Sequence, residues 1–195
     1  MKSTFIWSRK LEDTSICDTL IDVFQQAHQK GLTKPGAIGA NATVNPNIKT
    51  STDLWLQDII PNHFSPEDLR WADYHKELSG FIDKYCTDAK LYSYAGKFEM
   101  RQPPQLQWYK PGEGFKEWHI DGGHELSHRA LVFMTYLNDV PNGGTEFMHH
   151  NITTPAEKGS TVIFPAGLTH IHRGQISNTH DKYILTGWLS WDNTR

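Results

Sequence analysis

Apolar residues fall on two different periods in the two halves of this chain. In the first half the spacing is helical. Ile16, Leu20, Phe24 and Ala27 recur every three or four positions, which places them on one stripe of a helix. Ser15 followed by Asp18 resembles a capping box at its start, and Gly31 offers a C-terminal stop. A second helix is predicted from Ser65 as cap and Pro66 at the first helical position, with Leu69, Leu78, Phe81, Ile82 and Tyr85 on its apolar stripe. Such a stripe is suited to covering one face of a sheet. Between the two, residues 34–53 (KPGAIGANATVNPNIKTSTD) are rich in Gly, Pro, Asn and Thr. They read as a long irregular loop or poorly paired strands, with the makings of a flexible flap.

After Gln102-Pro103-Pro104 the pattern changes to short runs rich in β-branched and aromatic residues, separated by Gly, Pro, Asn or Asp. These are LQWY at 106–109, WHI at 118–120, ALVFMTYL at 130–137, GTEFM at 144–148, STVIF at 160–164 and KYILTGWLSW at 182–191. Strands without intervening helices imply an antiparallel sandwich or jelly roll, and Asn142-Gly143-Gly144 is a good hairpin turn. The predicted class is therefore mainly β within α+β. A double-stranded β-helix of the cupin-like jelly-roll kind fills 102–195, a mostly helical and loop region at 1–101 supports it, and 1–195 form a single domain.

Composition narrows the function more than the fold. Among 195 residues, 37% are hydrophobic and 21% charged, and the net charge of -3 provides no basic field of the kind that draws a protein to nucleic acid or anionic lipid. Neither is expected as a partner. Two cysteines, Cys17 and Cys86, are too few for a disulfide framework and lack metal-type spacing, so a cytoplasmic location is the expectation. No apolar run approaches the roughly 18 residues of a membrane span, and the first residues lack the apolar core of a secretory signal. Eleven histidines and seven tryptophans do depart from the ordinary, and the histidines raise the prior for a metal or acid–base site.

His119-Ile120-Asp121 ends an extended segment, where positions i and i+2 project from the same side and can grip one ion. A solvated rim pair would look the same, so a third ligand has to come from elsewhere. The segment GSTVIFPAGLTHIHRG supplies it as His170 or His172, which alternation alone cannot separate. Two histidines and one carboxylate on one face of an octahedral ion leave three adjacent positions open, the arrangement of non-haem Fe(II) oxygenases. Zinc would bind the same donors on affinity grounds. A structural zinc site, however, tends toward four closed ligands with thiolates. Lys182 has the parity of Ile184, Thr186 and Trp188, so it is expected to face the interior. A lysine there needs an anionic partner, and a cosubstrate carboxylate would provide it. The plainer reading is a snorkelling edge lysine.

Taken together, these residues resemble the 2-oxoglutarate and Fe(II)-dependent dioxygenases, specifically the prolyl 4-hydroxylase-like branch. The resemblance covers about residues 105–191. It rests on YKPGEGFKEWHID, with Tyr109 ten positions before His119, and on Arg129 opening a strand that ends Tyr136-Leu137-Asn138. Further support comes from Gly143-Gly144-Thr145-Glu146-Phe147, from Gly159 leading to Phe164-Pro165, and from His172 ten positions before Lys182 with Gly187-Trp188 following. The resemblance favours His172 over His170, so that His119, Asp121 and His172 would hold iron. It implies that Tyr109 and Tyr136 line the 2-oxoglutarate pocket, although each could equally be a core tyrosine. It also implies that Lys182 binds the distal carboxylate, that Trp188 packs beside the metal and that Arg129 lies near metal or substrate. The cofactors implied are Fe(II), 2-oxoglutarate, dioxygen and, as a companion reductant, ascorbate. The small-molecule cosubstrate would be converted to succinate and carbon dioxide while a peptide or protein substrate containing proline is hydroxylated. A free amino acid or other small molecule is the alternative substrate, and an inert metal-retaining module is the alternative class. Two departures stand out: Gln175-Ile176 replaces the Pro-Val pair that often follows the distal histidine, and lysine replaces the arginine of many relatives. His124, His128, His149, His150 and His180 are expected at the surface or behind the site, with His149-His150 able to contact substrate.

Overall fold

The computed structural model describes residues 4–91 and 97–191. Its first half carries strand β1 (Trp7–Lys10), helix α1 (Ser15–Gln29), strands β2 (Lys34–Pro35), β3 (Lys49–Thr50) and β4 (Thr52–Trp55), the single turn α2 (Leu56–Ile59) and helix α3 (Trp71–Asp88). Its second half carries β5 (Phe98–Glu99), β6 (Gln105–Tyr109), β7 (Gly114–Phe115), β8 (Arg129–Tyr136), β9 (Val140–Phe147) and β10 (Ile152–Ala156). After these come β11 (Ser160–Pro165), β12 (His172–Gly174) and β13 (Lys182–Trp191), with short 3-10 turns at His124–Leu126 and Leu168–His170. Among the described residues the main sheet runs β1-β11-β8-β13-β6-β4-β2, with β5 also on β13, while β10-β9-β12 form a smaller sheet and β3 pairs with β7. All of these pairings are antiparallel. This is the expected jelly roll.

Strand alternation divides the interior into two cores. One face of the main sheet presents Leu131, Phe133, Leu185 and Leu189 to the helices, which return Ile16, Leu20 and Phe24 from α1 and Tyr74, Leu78 and Phe81 from α3. Each such side chain contributes about 1.5–3 kcal/mol by leaving water. That burial, more than intrinsic helix propensity, holds the helices in place. The opposite face presents Val132, Met134, Tyr136, Ile184 and Trp188 to Val140, Phe147 and Ala156 of the smaller sheet. The candidate site lies within this second layer.

Several local expectations need correction. Helix α1 begins at Ser15, but the Ser15–Asp18 box does not form: Asp13 Oδ1 accepts the Ser15 amide (2.9 Å) and hydroxyl (2.5 Å), while Asp18 takes Lys158 at 2.6 Å. Ser65 and Asp68 do cap each other reciprocally, at 2.8 and 3.2 Å, yet they close only one turn. Arg70 is left-handed (φ 49°), anchored by Asp13, Ser15 and Asp73, and α3 starts only at Trp71. WHI at 118–120 is not a strand, because His119 alone bridges to His172. Asn142-Gly143-Gly144 does not turn a hairpin either. It lies inside β9, where the register passes from Val140↔Ala156 to Thr145↔Thr154 and residues 141–144 bulge opposite Pro155. Gly144 is required there, since a Cβ would sit 1.7 Å from the Thr154 carbonyl oxygen.

Residues 34–53 form the poorly paired strands of the two readings rather than a free loop. β2 pairs with β4, β4 with β6, and β3 with β7. A buried ion pair between Lys49 and Asp53 (2.6 Å), with Ser51 Oγ on the same carboxylate (2.7 Å), ties the segment together. β1 and β4 are also full members of the main sheet, so the first hundred residues build part of the jelly roll as well as supporting it.

Candidate active site

Two chain segments meet at the open edge of the inner layer. His119 follows β7, Asp121 lies two residues on, and His172 opens β12. His119 and His172 exchange backbone hydrogen bonds, each amide donating to the other's carbonyl at 3.0 Å. The Asp121 and Gly122 amides both donate to the Ala166 carbonyl, at 3.1 and 2.8 Å. The backbone thus fixes all three positions before any side chain is considered. One donor atom from each of His119, Asp121 and His172 lies within 4.8 Å of the others.

The side chains are oriented as strictly. His119 Nδ1 donates to the Glu117 carbonyl (3.0 Å) and His172 Nδ1 to the His170 carbonyl (2.9 Å), which leaves Nε2 of each ring as the free donor atom. Phe115 stacks on His119 with centroids 3.6 Å apart, and Phe164 and Phe147 enclose His172 at 4.8 and 5.8 Å. Burial, reinforced by the neighbouring His172, pushes His119 down to about 4, so its ring is neutral near pH 7. Burial opposes ionisation of Asp121. The His172 and Trp188 hydrogen bonds and the two imidazoles outweigh it and hold the carboxyl well below the usual range.

His172 Nε2 stands 3.2 Å from Asp121 Oδ2. At that separation one cation would be reached by both atoms together with the His119 imidazole. Two imidazole nitrogens and one carboxylate, with no thiolate, fit ferrous iron.

His170 does not join them. Its Nδ1 meets Thr169 Oγ1 and its Nε2 donates to the Thr4 carbonyl, both at 2.8 Å. Simple alternation fails between 170 and 172 because His170 ends a 3-10 turn and His172 starts a strand.

Behind the cluster opens a cavity of about 420 Å³ whose wall includes Lys182, Tyr109, Tyr136 and Trp188. Lys182 is 5% exposed, so the snorkelling reading fails. Its Nζ donates to the Gly143 and Gln175 carbonyls at 3.0 and 2.8 Å and lies 5.1 Å from the Tyr109 ring centroid. Among the described residues no carboxylate bonds to it. Burial pushes its amine down to about 8. Tyr109 donates to Gln107 Oε1, and the Tyr136 hydroxyl meets Thr145 and Thr154 at 2.7 and 3.2 Å. Both tyrosines therefore line the cavity with their hydroxyls already satisfied by protein. Trp188 Nε1 donates to Asp121 Oδ1 at 3.0 Å, and the Arg129 guanidinium lies 3.6 Å from the Trp188 ring centroid.

Gln105, Gln107 and Lys49 also line the cavity and were not anticipated. The two glutamines share the parity of Tyr109, which was a usable signal. Lys49 sits in the Gly- and Asn-rich segment, where no periodicity marks it. Of the other histidines, His124, His149 and His180 are exposed and His128 and His150 half-buried, all outside the ligand set.

Residues 104–190 match the family model described as the 2OG-Fe(II) oxygenase superfamily. The matched stretch is the strand-rich second half of the chain and holds His119, Asp121 and His172. The fold of the chain is shared with a viral collagen prolyl hydroxylase from Paramecium Bursaria Chlorella virus-1, solved as a 2OG complex, at 20% identity and TM-score 0.68 over 95% of both chains. It is also similar to a prolyl hydroxylase from Trichoplax adhaerens, solved with a hypoxia inducible factor oxygen degradation domain peptide fragment. That likeness has 15% identity and TM-score 0.74, covering 97% of this chain and 84% of that one. A Pseudomonas putida prolyl-4-hydroxylase matches at 18% identity and TM-score 0.68, over 95% and 92%. A multifunctional procollagen lysine hydroxylase and glycosyltransferase of Caenorhabditis elegans is 21% identical over 128 residues, which is 63% of this chain. The match spans only 17% of that relative's length. Among the described residues no helix is long and apolar enough to cross a membrane.

Proposed function

We propose that this protein is a 2-oxoglutarate- and Fe(II)-dependent dioxygenase that hydroxylates peptidyl proline, with His119, Asp121 and His172 as the iron ligands. The observation that carries the reading is the convergence of two tautomer-fixed imidazoles and one carboxylate at a cavity that also holds a buried lysine with only neutral partners. Fe(II) bound there, with 2-oxoglutarate and dioxygen, supplies the oxidation of a C–H bond, giving succinate and carbon dioxide alongside the alcohol. Lys182 offers a cation for the distal carboxylate of 2-oxoglutarate, with Tyr109 and Tyr136 forming the walls around it. Lysine acts there as a point charge, where an arginine would form a planar fork. Trp188 orients Asp121. Phe115, Phe147 and Phe164 exclude water from the imidazoles.

The peptide reading draws on the solved prolyl hydroxylases that share the fold, one of them holding a peptide. Residues 34–53 border the same cavity and would contact an extended substrate. A small set of two cysteines fits a reducing, cytoplasmic setting, and ascorbate would serve as companion reductant. The test is anaerobic reconstitution with Fe(II), followed by oxygen and 2-oxoglutarate, with succinate measured. Wild type should exceed an Asp121→Ala variant clearly, and equal yields would sink the oxygenase reading. A peptide array with proline and lysine acceptors, read for the mass gain of one oxygen atom, then tests the substrate class.

A further inference from the structure

Among the described residues two buried side-chain polar atoms have no hydrogen-bond partner, Gln105 Oε1 and Arg129 Nε, and both residues line the cavity behind the histidines. Folded proteins keep few such atoms, because leaving a buried acceptor unpaired costs about 1–3 kcal/mol. Arg129 is only half-buried and is held against Trp188, so it carries less weight. Gln105 is 5% exposed.

Its neighbours explain why the protein itself does not satisfy it. Gln105 lies on the inner row of the main sheet, paired in register with Trp55 on one side and Thr186 on the other. The Thr186 hydroxyl donates elsewhere, to the Phe133 carbonyl at 3.1 Å. The next amide on the row, Gln107, accepts from Tyr109. The Trp55 ring centroid lies 6.1 Å from that of Trp188, the residue bonded to Asp121. An unclaimed acceptor is thus built into the cavity wall two aromatic rings away from the proposed ligand carboxylate.

We propose that Gln105 is a substrate-contacting residue whose Oε1 accepts a hydrogen bond from a backbone N–H of the substrate. This rests on the peptide reading above and refines it. Proline has no N–H of its own, so the peptide unit before it offers no donor. The unit after it does. The required substrate is therefore a peptide in which the residue after the target proline is not itself proline or N-alkylated, and a free amino acid lacking that amide does not meet the requirement.

The probe is a library of capped X-Pro-Gly and X-Pro-Ala peptides, each paired with a copy in which an ester replaces the amide after proline. The ester removes the donor with little change of shape. In the holoenzyme, wild type should lose about tenfold or more in kcat/KM on the ester, the size of one hydrogen bond to a buried group. Gln105→Leu should bring the amide-to-ester ratio close to one, and Gln105→Glu, which keeps an acceptor, should restore a large ratio. Because the ratio is taken within each enzyme, differences in folding or iron loading cancel. Equal ratios in wild type and Gln105→Leu overturn the inference. If succinate forms but no peptide is hydroxylated, the peptide reading and this inference fail together. Absence of succinate under all conditions condemns the oxygenase reading first.

Discussion

Trp188 and Asp121 are joined by a single hydrogen bond, indole Nε1 to carboxylate Oδ1 at 3.0 Å, across 67 residues of sequence. It occupies one carboxylate oxygen and leaves Oδ2 facing His172 Nε2. The bond thereby selects which oxygen is available to a metal. Trp188→Phe keeps the ring and loses the donor, and partners of this kind are worth about 10–100-fold in metal affinity or activity. Anaerobic titration with Fe(II) should show a loss of that order, against complete loss in Asp121→Ala. Unaltered affinity in Trp188→Phe would leave the indole with a packing role only.

The two histidines left open by sequence separate cleanly by experiment. His172→Ala should abolish Mn(II) binding measured calorimetrically. His170→Ala should retain binding but lower stability by about 1–3 kcal/mol, because a buried ring that bonds Thr4 and Thr169 is lost. The reverse pattern would assign the ligand to His170.

Lys182→Ala should raise the 2-oxoglutarate requirement on the order of tenfold to a hundredfold while iron still binds, the range of a charge-assisted hydrogen bond. A requirement equal to wild type would exclude the anchoring role. Without cosubstrate the Lys182 amine is pushed by burial from 10.5 down to about 8. The cost of burying its charge is fully present below pH 8 and is relieved as pH rises through 8 toward 10.5. Relative to a Lys182→Met variant, the cosubstrate-free wild type should therefore gain stability across that window, while its affinity for 2-oxoglutarate falls. Thermal melts of both proteins along a pH series, with and without 2-oxoglutarate, read the two trends, and parallel curves would contradict them.

The Lys49–Asp53 pair is buried on both sides, with side chains 2% and 4% exposed. Removing one partner strands the other charge, which costs about 3–5 kcal/mol. Lys49→Met should lose that much in urea unfolding. The double change Lys49→Met with Asp53→Leu should recover a good part of it. Additive losses would mean that the charges do not depend on each other.

The strands that form the main sheet were the legible part of this chain. LQWY, ALVFMTYL, STVIF and KYILTGWLSW have one apolar face toward the helices and another toward the smaller sheet, and that double burial leaves a strong signal. Features settled by a single distant contact were not legible. The start of α3 depends on Arg70 reaching back to Asp13 and Ser15, and nothing near residue 65 encodes that. Asn142-Gly143-Gly144 has the composition of a turn but serves as a bulge, because Thr154 approaches its backbone from another strand. His119 and Asp121 do come together with His172, but not for the reason that strand alternation suggests. The histidine is held by one bridge to His172 and the aspartate by Ala166, not by a common strand ladder.

Strand β13 follows all the other described strands in sequence yet sits between β8 and β6, inside the main sheet. During synthesis, therefore, the sheet cannot be completed from its edge inward as the chain emerges. Both neighbours of β13 must wait for residues that leave the ribosome more than forty positions after β8 is finished, with their paired edges open meanwhile. Completion of the main sheet should accordingly wait until residues 182–191 have emerged, and nascent chains stopped before Lys182 should be held by chaperones or aggregate.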